Sequence, residues 1–128
     1  MKGLKAFKKA DEYDAYKEAM KKSTNEYKMI RLRIGITDET TPEDLDGYFT
    51  HIWKHQQRVI LVFDTTQCYH LSLRRAMKMK SVLNKHRENS RKFIEHSNIM
   101  VKSNLAKNIL RTALAIIRTE RPVYVHKV

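Results

Sequence analysis

Two hydrophobic rhythms alternate along the chain. Over residues 27–36 the apolar positions Ile30, Leu32, Ile34 and Ile36 are separated by Arg31, Arg33 and Gly35. That period of two predicts a half-buried strand, with a polar loop at 37–40 behind it. The rhythm then changes. Leu45, Tyr48, Phe49, Ile52 and Trp53 recur at helical spacing and predict one apolar helix face. Thr41 suits the N-cap of this helix and Pro42 its first position, while Glu43 and Asp44 complement its dipole. His55-Gln56-Gln57 ends it. Residues 58–64 hold the unbroken run Val59-Ile60-Leu61-Val62-Phe63, the pattern of a strand buried on both faces of a parallel sheet.

A second helix is predicted after Ser72, a further N-cap. Leu73, Ala76, Met77, Met79, Lys80, Val82 and Leu83 form a semi-apolar side, and Arg74, Arg75, Lys78 and Lys85 its basic side. Asn89-Ser90 reads as an interruption, and residues 91–95 as one further turn. Ile99-Met100-Val101 marks a short strand over 98–102. Ser103 or Asn104 then caps a third helix with Leu105, Ile109, Leu110, Ala113, Leu114 and Ile117 inward and Lys107, Arg111 and Arg118 outward. Pro122 breaks it before a last strand at Val123-Tyr124-Val125. Residues 1–26 form a basic segment in which helix spacing (Leu4, Phe7, Tyr13, Tyr16, Met20) and an edge strand around 12–19 both fit. The division is thus a basic N-terminal segment, 1–26, and an α/β domain, 27–128. The order β-α-β-α-β-α-β implies a mainly parallel sheet of four or five strands, with about three helices in right-handed crossovers.

Composition fits one domain. The 128 residues are 41% hydrophobic and 31% charged, too apolar for a disordered chain. Charge changes the picture more. The formal net charge is +12, and it is lopsided: residues 71–128 hold 14 basic side chains against three acidic ones, an excess of 11. A basic half calls for an acidic partner: nucleic acid, an anionic membrane surface, or an acidic protein face such as that of assembly neighbours. The longest apolar runs fall far short of the ~20 residues that span a membrane. Residues 1–20 lack the apolar core of a signal peptide, and the single Cys68 has no disulfide partner within the chain. The expectation is an intracellular, cytoplasmic protein.

The segments 58–66 (RVILVFDTT), 67–72 (QCYHLS), 99–110 (IMVKSNLAKNIL) and 122–125 (PVYV), in that order of elements, resemble the STAS fold. This is the fold of bacterial anti-anti-sigma factors and of the cytoplasmic domains of sulfate transporters. The resemblance runs from residue 27 to residue 128 and is strongest toward compact STAS-like proteins of large DNA viruses. It implies an interaction module rather than an enzyme, with no cofactor, and for a viral protein a place in the virion as a minor capsid component. The phosphorylated serine of anti-anti-sigma factors falls on Ser72. The Asp-Ser-x-Gly signature is absent there, where the chain reads Tyr69-His70-Leu71-Ser72-Leu73.

Other chemistry is sparse in the sequence. His51 and His55 sit four apart, a spacing that can share a metal, but no carboxylate accompanies them as in HExxH. The histidines therefore read as surface residues, and no metal is expected. Cys68 with His70 is a weak nucleophile–base pair without a third group to orient it. Asp64 closes the central strand, where open α/β sheets place ligands. A small enzyme with a site near Asp64 and His70 is thus the third reading. Tyr27, Arg31 and Arg33 come nearest to a base-stacking platform. The leading candidate is the basic cluster Arg74, Arg75, Lys78, Lys85, Arg87, Arg91 and Lys92, read as a docking surface for an acidic protein and alternatively as a sequence-independent footprint on nucleic acid.

Overall fold

The structure is a computed structural model, and it describes residues 4–5 and 29–128. Its strands are β1 (Leu4–Lys5), β2 (Ile30–Thr37), β3 (Val59–Gln67), β4 (Ile94–Val101) and β5 (Val123–Lys127). They form one sheet in chain order, with β2 to β5 parallel and β1 antiparallel on the outer side of β2. The helices are α1 (Pro42–Trp53), α2 (Leu73–Met77), α3 (Lys80–Lys85), α4 (Arg87–Phe93) and α5 (Asn104–Ile117). The α/β class expected from the alternating rhythms is the one found. Connections of one hand that always step to the next strand must lie on one face of the sheet. Accordingly, Ile30, Leu32 and Ile34 of β2 and Val59 and Leu61 of β3 bury against Leu45, Tyr48, Phe49 and Ile52 of α1 and Val82 of α3. Each such side chain contributes about 1.5–3 kcal/mol on leaving water.

Local chemistry starts the helices where the sequence places them. Thr41 and Asp44 form a capping box at α1, its two bonds both 3.1 Å long. Ser72 caps α2 through the Arg75 N–H, and Ser103 caps α5 through the Ala106 N–H, each at 3.1 Å. A cap of this kind is worth about 1 kcal/mol. In the opposite sense, α5 ends on Arg118 with φ 56, a left-handed conformation that a Cβ disfavours.

Four expectations need correction. The fourth strand begins at Ile94 and not at residue 98, because Ile94, His96, Ser97 and Asn98 pair with β3, the register skipping Glu95 at a bulge. Asn89 and Ser90 lie inside α4 and do not interrupt it, so residues 91–93 belong to that helix and Ile94-Glu95 to the strand. The single second helix is three short ones, because the backbone closes i→i+3 at Lys78 and Met79 and turns again at His86. Leu105, expected inward, is 70% exposed. The edge strand expected around 12–19 lies outside the described residues, as does Tyr27.

Candidate functional site

The carboxyl ends of β2 and β3 open into a polar cleft of about 520 Å³, walled by Asp38, Glu39, Thr41, Ser72, Arg74 and Lys78. Parallel sheets bring the loops after each strand to this edge, which is why Ser72 and the first cations of the basic cluster meet the 37–41 loop. Asp38 organises the cleft. Its carboxylate accepts the N–H groups of Tyr69 and His70, each at 3.1 Å, and the Arg75 guanidinium at 2.9 Å. Burial acts to raise its pKa, but those donors outweigh burial and hold the group below the ordinary carboxylate value. Arg75 also donates to the carbonyls of Thr37, at 3.0 Å, and of Asp38. It is therefore a brace that pins α2 to the β2–α1 loop.

The predicted basic cluster divides by role. Arg75, Lys85 and Arg87 face inward obligations: Lys85 bonds Asp46 at 3.0 Å, and Arg87 holds the carbonyls of Arg118 at 3.0 Å and Ile117 at 3.3 Å. Arg91 lies 3.7 Å from Glu120, and Lys92 sits over the Phe93 ring at 5.4 Å. Arg74 and Lys78, one helical turn apart, are exposed and have no hydrogen-bond or ion-pair partner among the described residues. The cluster also divides in space. α2 follows the carboxyl end of β3, whereas α4 leads into the amino end of β4, so Arg74 and Lys78 lie at the opposite edge of the sheet from Arg91 and Lys92. Lys102, in the loop after β4, and Lys127, at the end of β5, join Arg74 and Lys78 along the carboxyl edge, both of them exposed.

Of the residues considered for catalysis, Asp64 and Cys68 are engaged elsewhere. Asp64 accepts from the Thr66 N–H at 3.0 Å, the Thr66 hydroxyl at 2.6 Å and Arg33 at 2.5 Å. Burial opposes ionisation there, yet the Thr66 bonds and Arg33 leave its pKa below the ordinary value. Cys68 points its Sγ at the Ile36 carbonyl, 3.4 Å away, and burial pushes the thiol up, Asp38 and Glu39 adding to burial while Arg75 opposes it. His70 is exposed, and only its backbone N–H serves Asp38 among the described residues. His51 and His55 touch edge to face at 5.7 Å, and no group of three metal-ligating side chains occurs among the described residues. Arg33 is committed to Asp64, on the face of the sheet away from the helices.

One histidine overturns the surface reading. His86 is buried at 6% exposure. Its Nδ1 accepts the Trp53 indole N–H at 2.9 Å, and its Nε2 meets Asp46 Oδ1 at 2.5 Å. An indole can only donate, so Nδ1 must accept, and the imidazole proton sits on Nε2 facing the carboxylate. The His86 and Lys85 bonds, in that order, lower the Asp46 pKa against burial. The signal was present in the sequence: Met79, Val82, Leu83 and His86 follow i, i+3, i+4, i+7, which puts the imidazole on the apolar face. Beneath α2 and α5 lies an apolar cavity of about 150 Å³, lined by Phe63, Cys68, Leu71, Met79 and Leu110 among others. No helix among the described residues is long and apolar enough to cross a membrane.

No family model matches this chain, and no curated protein or solved structure matches it either.

Proposed function

We propose that the protein is a non-catalytic interaction module of STAS-like build that docks an acidic protein surface on the cations of its carboxyl edge. The strand and helix order supports the likeness. The observation that carries the docking reading is the sorting of the cations. Arg75, Lys85, Arg87 and Arg121 are bonded within the chain, while Arg74, Lys78, Lys102 and Lys127 project without a partner among the described residues. Unpaired cations on one edge raise the local concentration of an acidic partner and speed its encounter. A viral, virion-associated role as a minor capsid component follows from the family likeness alone. The test is fluorescence anisotropy with a labelled polyglutamate peptide, on the protein and on its Arg74→Ala/Lys78→Ala variant. Two surface cations at about 0.5–1 kcal/mol each predict a five- to thirtyfold loss of affinity. Equal affinity of the two proteins would remove these residues from the interface.

A further inference from the structure

The far edge of the sheet, beside β5, carries a second surface that the basic cluster does not explain. Among the described residues β5 pairs only with β4, and its five residues keep regular register from Val123 to Lys127. The ladder fixes which backbone groups remain. Ser97 donates to the Pro122 carbonyl, and the Val128 N–H donates to Val101. Residues along a strand alternate, so Pro122, Tyr124, His126 and Val128 face β4. Val123, Val125 and Lys127 turn their N–H and C=O groups outward. Native edges are usually blunted by bulges, inward charges or a covering element. β5 has no bulge among its paired residues.

Above this edge one flank of α5 exposes aliphatic side chains to solvent. Leu110, Ala113 and Ile117 are buried, and Leu114 lines the cavities on the side of α2 to α4. Leu105, Ile109, Thr112 and Ile116 fall on the other flank of the helix, away from α2 to α4 and beside β5. Leu105 is 70% exposed and Ile116 50%. At 1.5 Å per residue that stripe is about 17 Å long, the length of about five residues of added strand. The surroundings are basic: Lys102 and Lys127 stand at the carboxyl end and Arg118 at the other, all exposed, while Glu120 is held by Arg87 and Arg91.

We infer that the β5 edge is a strand-addition site for an extended segment of a partner protein with alternating aliphatic and acidic residues. The added strand takes its affinity from the outward groups of Val123, Val125 and Lys127. Its aliphatic side chains pack under Leu105, Ile109 and Ile116, and its carboxylates, on the other face of the added strand, lie in the positive field of Lys102 and Lys127 at one end and of Arg118 at the other. A second copy of this chain would bring +12 against +12, which is why the partner is acidic and not another copy.

The probe is an eight-residue peptide of alternating glutamate and valine, titrated into the isotope-labelled protein by NMR. Saturating shifts are expected at the amides of Val123, Val125 and Lys127 and at the methyls of Leu105 and Ile116. Methylating alternate peptide nitrogens should weaken binding at least tenfold. So should Val125→Pro, which removes an outward N–H without touching the β4 ladder. Leu105→Ser/Ile116→Ser alters only exposed positions, keeps the fold and should lose a similar factor. Arg74→Ala/Lys78→Ala should bind this peptide unchanged, which separates failure here from failure of the carboxyl-edge reading. The inference is overturned by shifts absent from β5, by an N-methylated peptide that binds equally well, or by β5 shifts that depend on protein concentration alone and so report self-association.

Discussion

Replacing His86 with alanine removes a buried polar hub, and its cost can be worked from the geometry. The imidazole is 6% exposed and packs 5.2 Å from the Phe49 ring and 6.0 Å from Trp53, centre to centre. Truncating buried aromatic rings costs about 3–5 kcal/mol, and the smaller imidazole accounts for about 2 of that scale. The Trp53 indole N–H, bonded at 2.9 Å, then loses its acceptor, at about 1–2 kcal/mol for a half-buried donor. The sum is about 3–4 kcal/mol, a large share of the roughly 5–15 kcal/mol that holds a domain together. Trp53 is the only tryptophan, so urea unfolding followed by its emission reads the same site it perturbs. With a slope of about 1.5 kcal/mol/M the midpoint should fall by about 2 M. His86→Leu restores volume without the bonds and should fall by about half as much. A midpoint shift under about 0.5 M for His86→Ala would refute the claim that this residue closes the core between α1 and α4.

Other outcomes follow from the same structure. Arg75→Ala removes the brace from α2 to the Asp38 loop and should cost about 2 kcal/mol, whereas exposed Arg74→Ala should change stability by less than about 0.5 kcal/mol; thermal unfolding of the two variants checks the contrast. Asp38, Asp46, Asp64 and Glu95 all have folded pKa values below their ordinary ones. The unfolded chain then binds more protons in the window between, so their stabilisation is complete above the ordinary carboxylate range and lost as pH falls through the folded values. Asp64→Asn should flatten that acid limb in a pH series of unfolding curves, and an unchanged limb would count against the Arg33–Asp64 pair. Cys68, with its thiol pushed up by burial, should react with a thiol reagent at pH 8 more slowly than free cysteine; a faster reaction would contradict its placement against Ile36.

Much of the fold was legible because each element carries its own period and cap. Thr41, Ser72 and Ser103 start helices where their side chains can accept N–H bonds, and the run from Val59 to Phe63 marks the central strand. The first half of β4 carries no apolar rhythm because its pairing rests on backbone bonds, which polar residues such as His96 and Asn98 supply as well as apolar ones. The breaks between α2, α3 and α4 were hidden because neither Gly nor Pro marks them. The basic cluster was legible as charge but not as chemistry. Composition cannot tell that Arg75 and Arg87 reach carbonyls some thirty residues away while Arg74 faces water. The exposed flank of α5 was obscured for a related reason: the helix is apolar on two adjacent arcs, and only the sheet edge decides which of them is covered.

The central claim is that exposed cations on the carboxyl edge meet an acidic protein and not a nucleic acid. Its most direct test is a salt series of binding curves for polyglutamate and for a 20-base-pair duplex DNA against the same protein. The account predicts tighter binding of the acidic peptide near 0.15 M salt, with a duplex affinity that is weak there. Tighter binding of the duplex, with a log–log salt slope of about −4 or steeper as four or more phosphate contacts require, would contradict it.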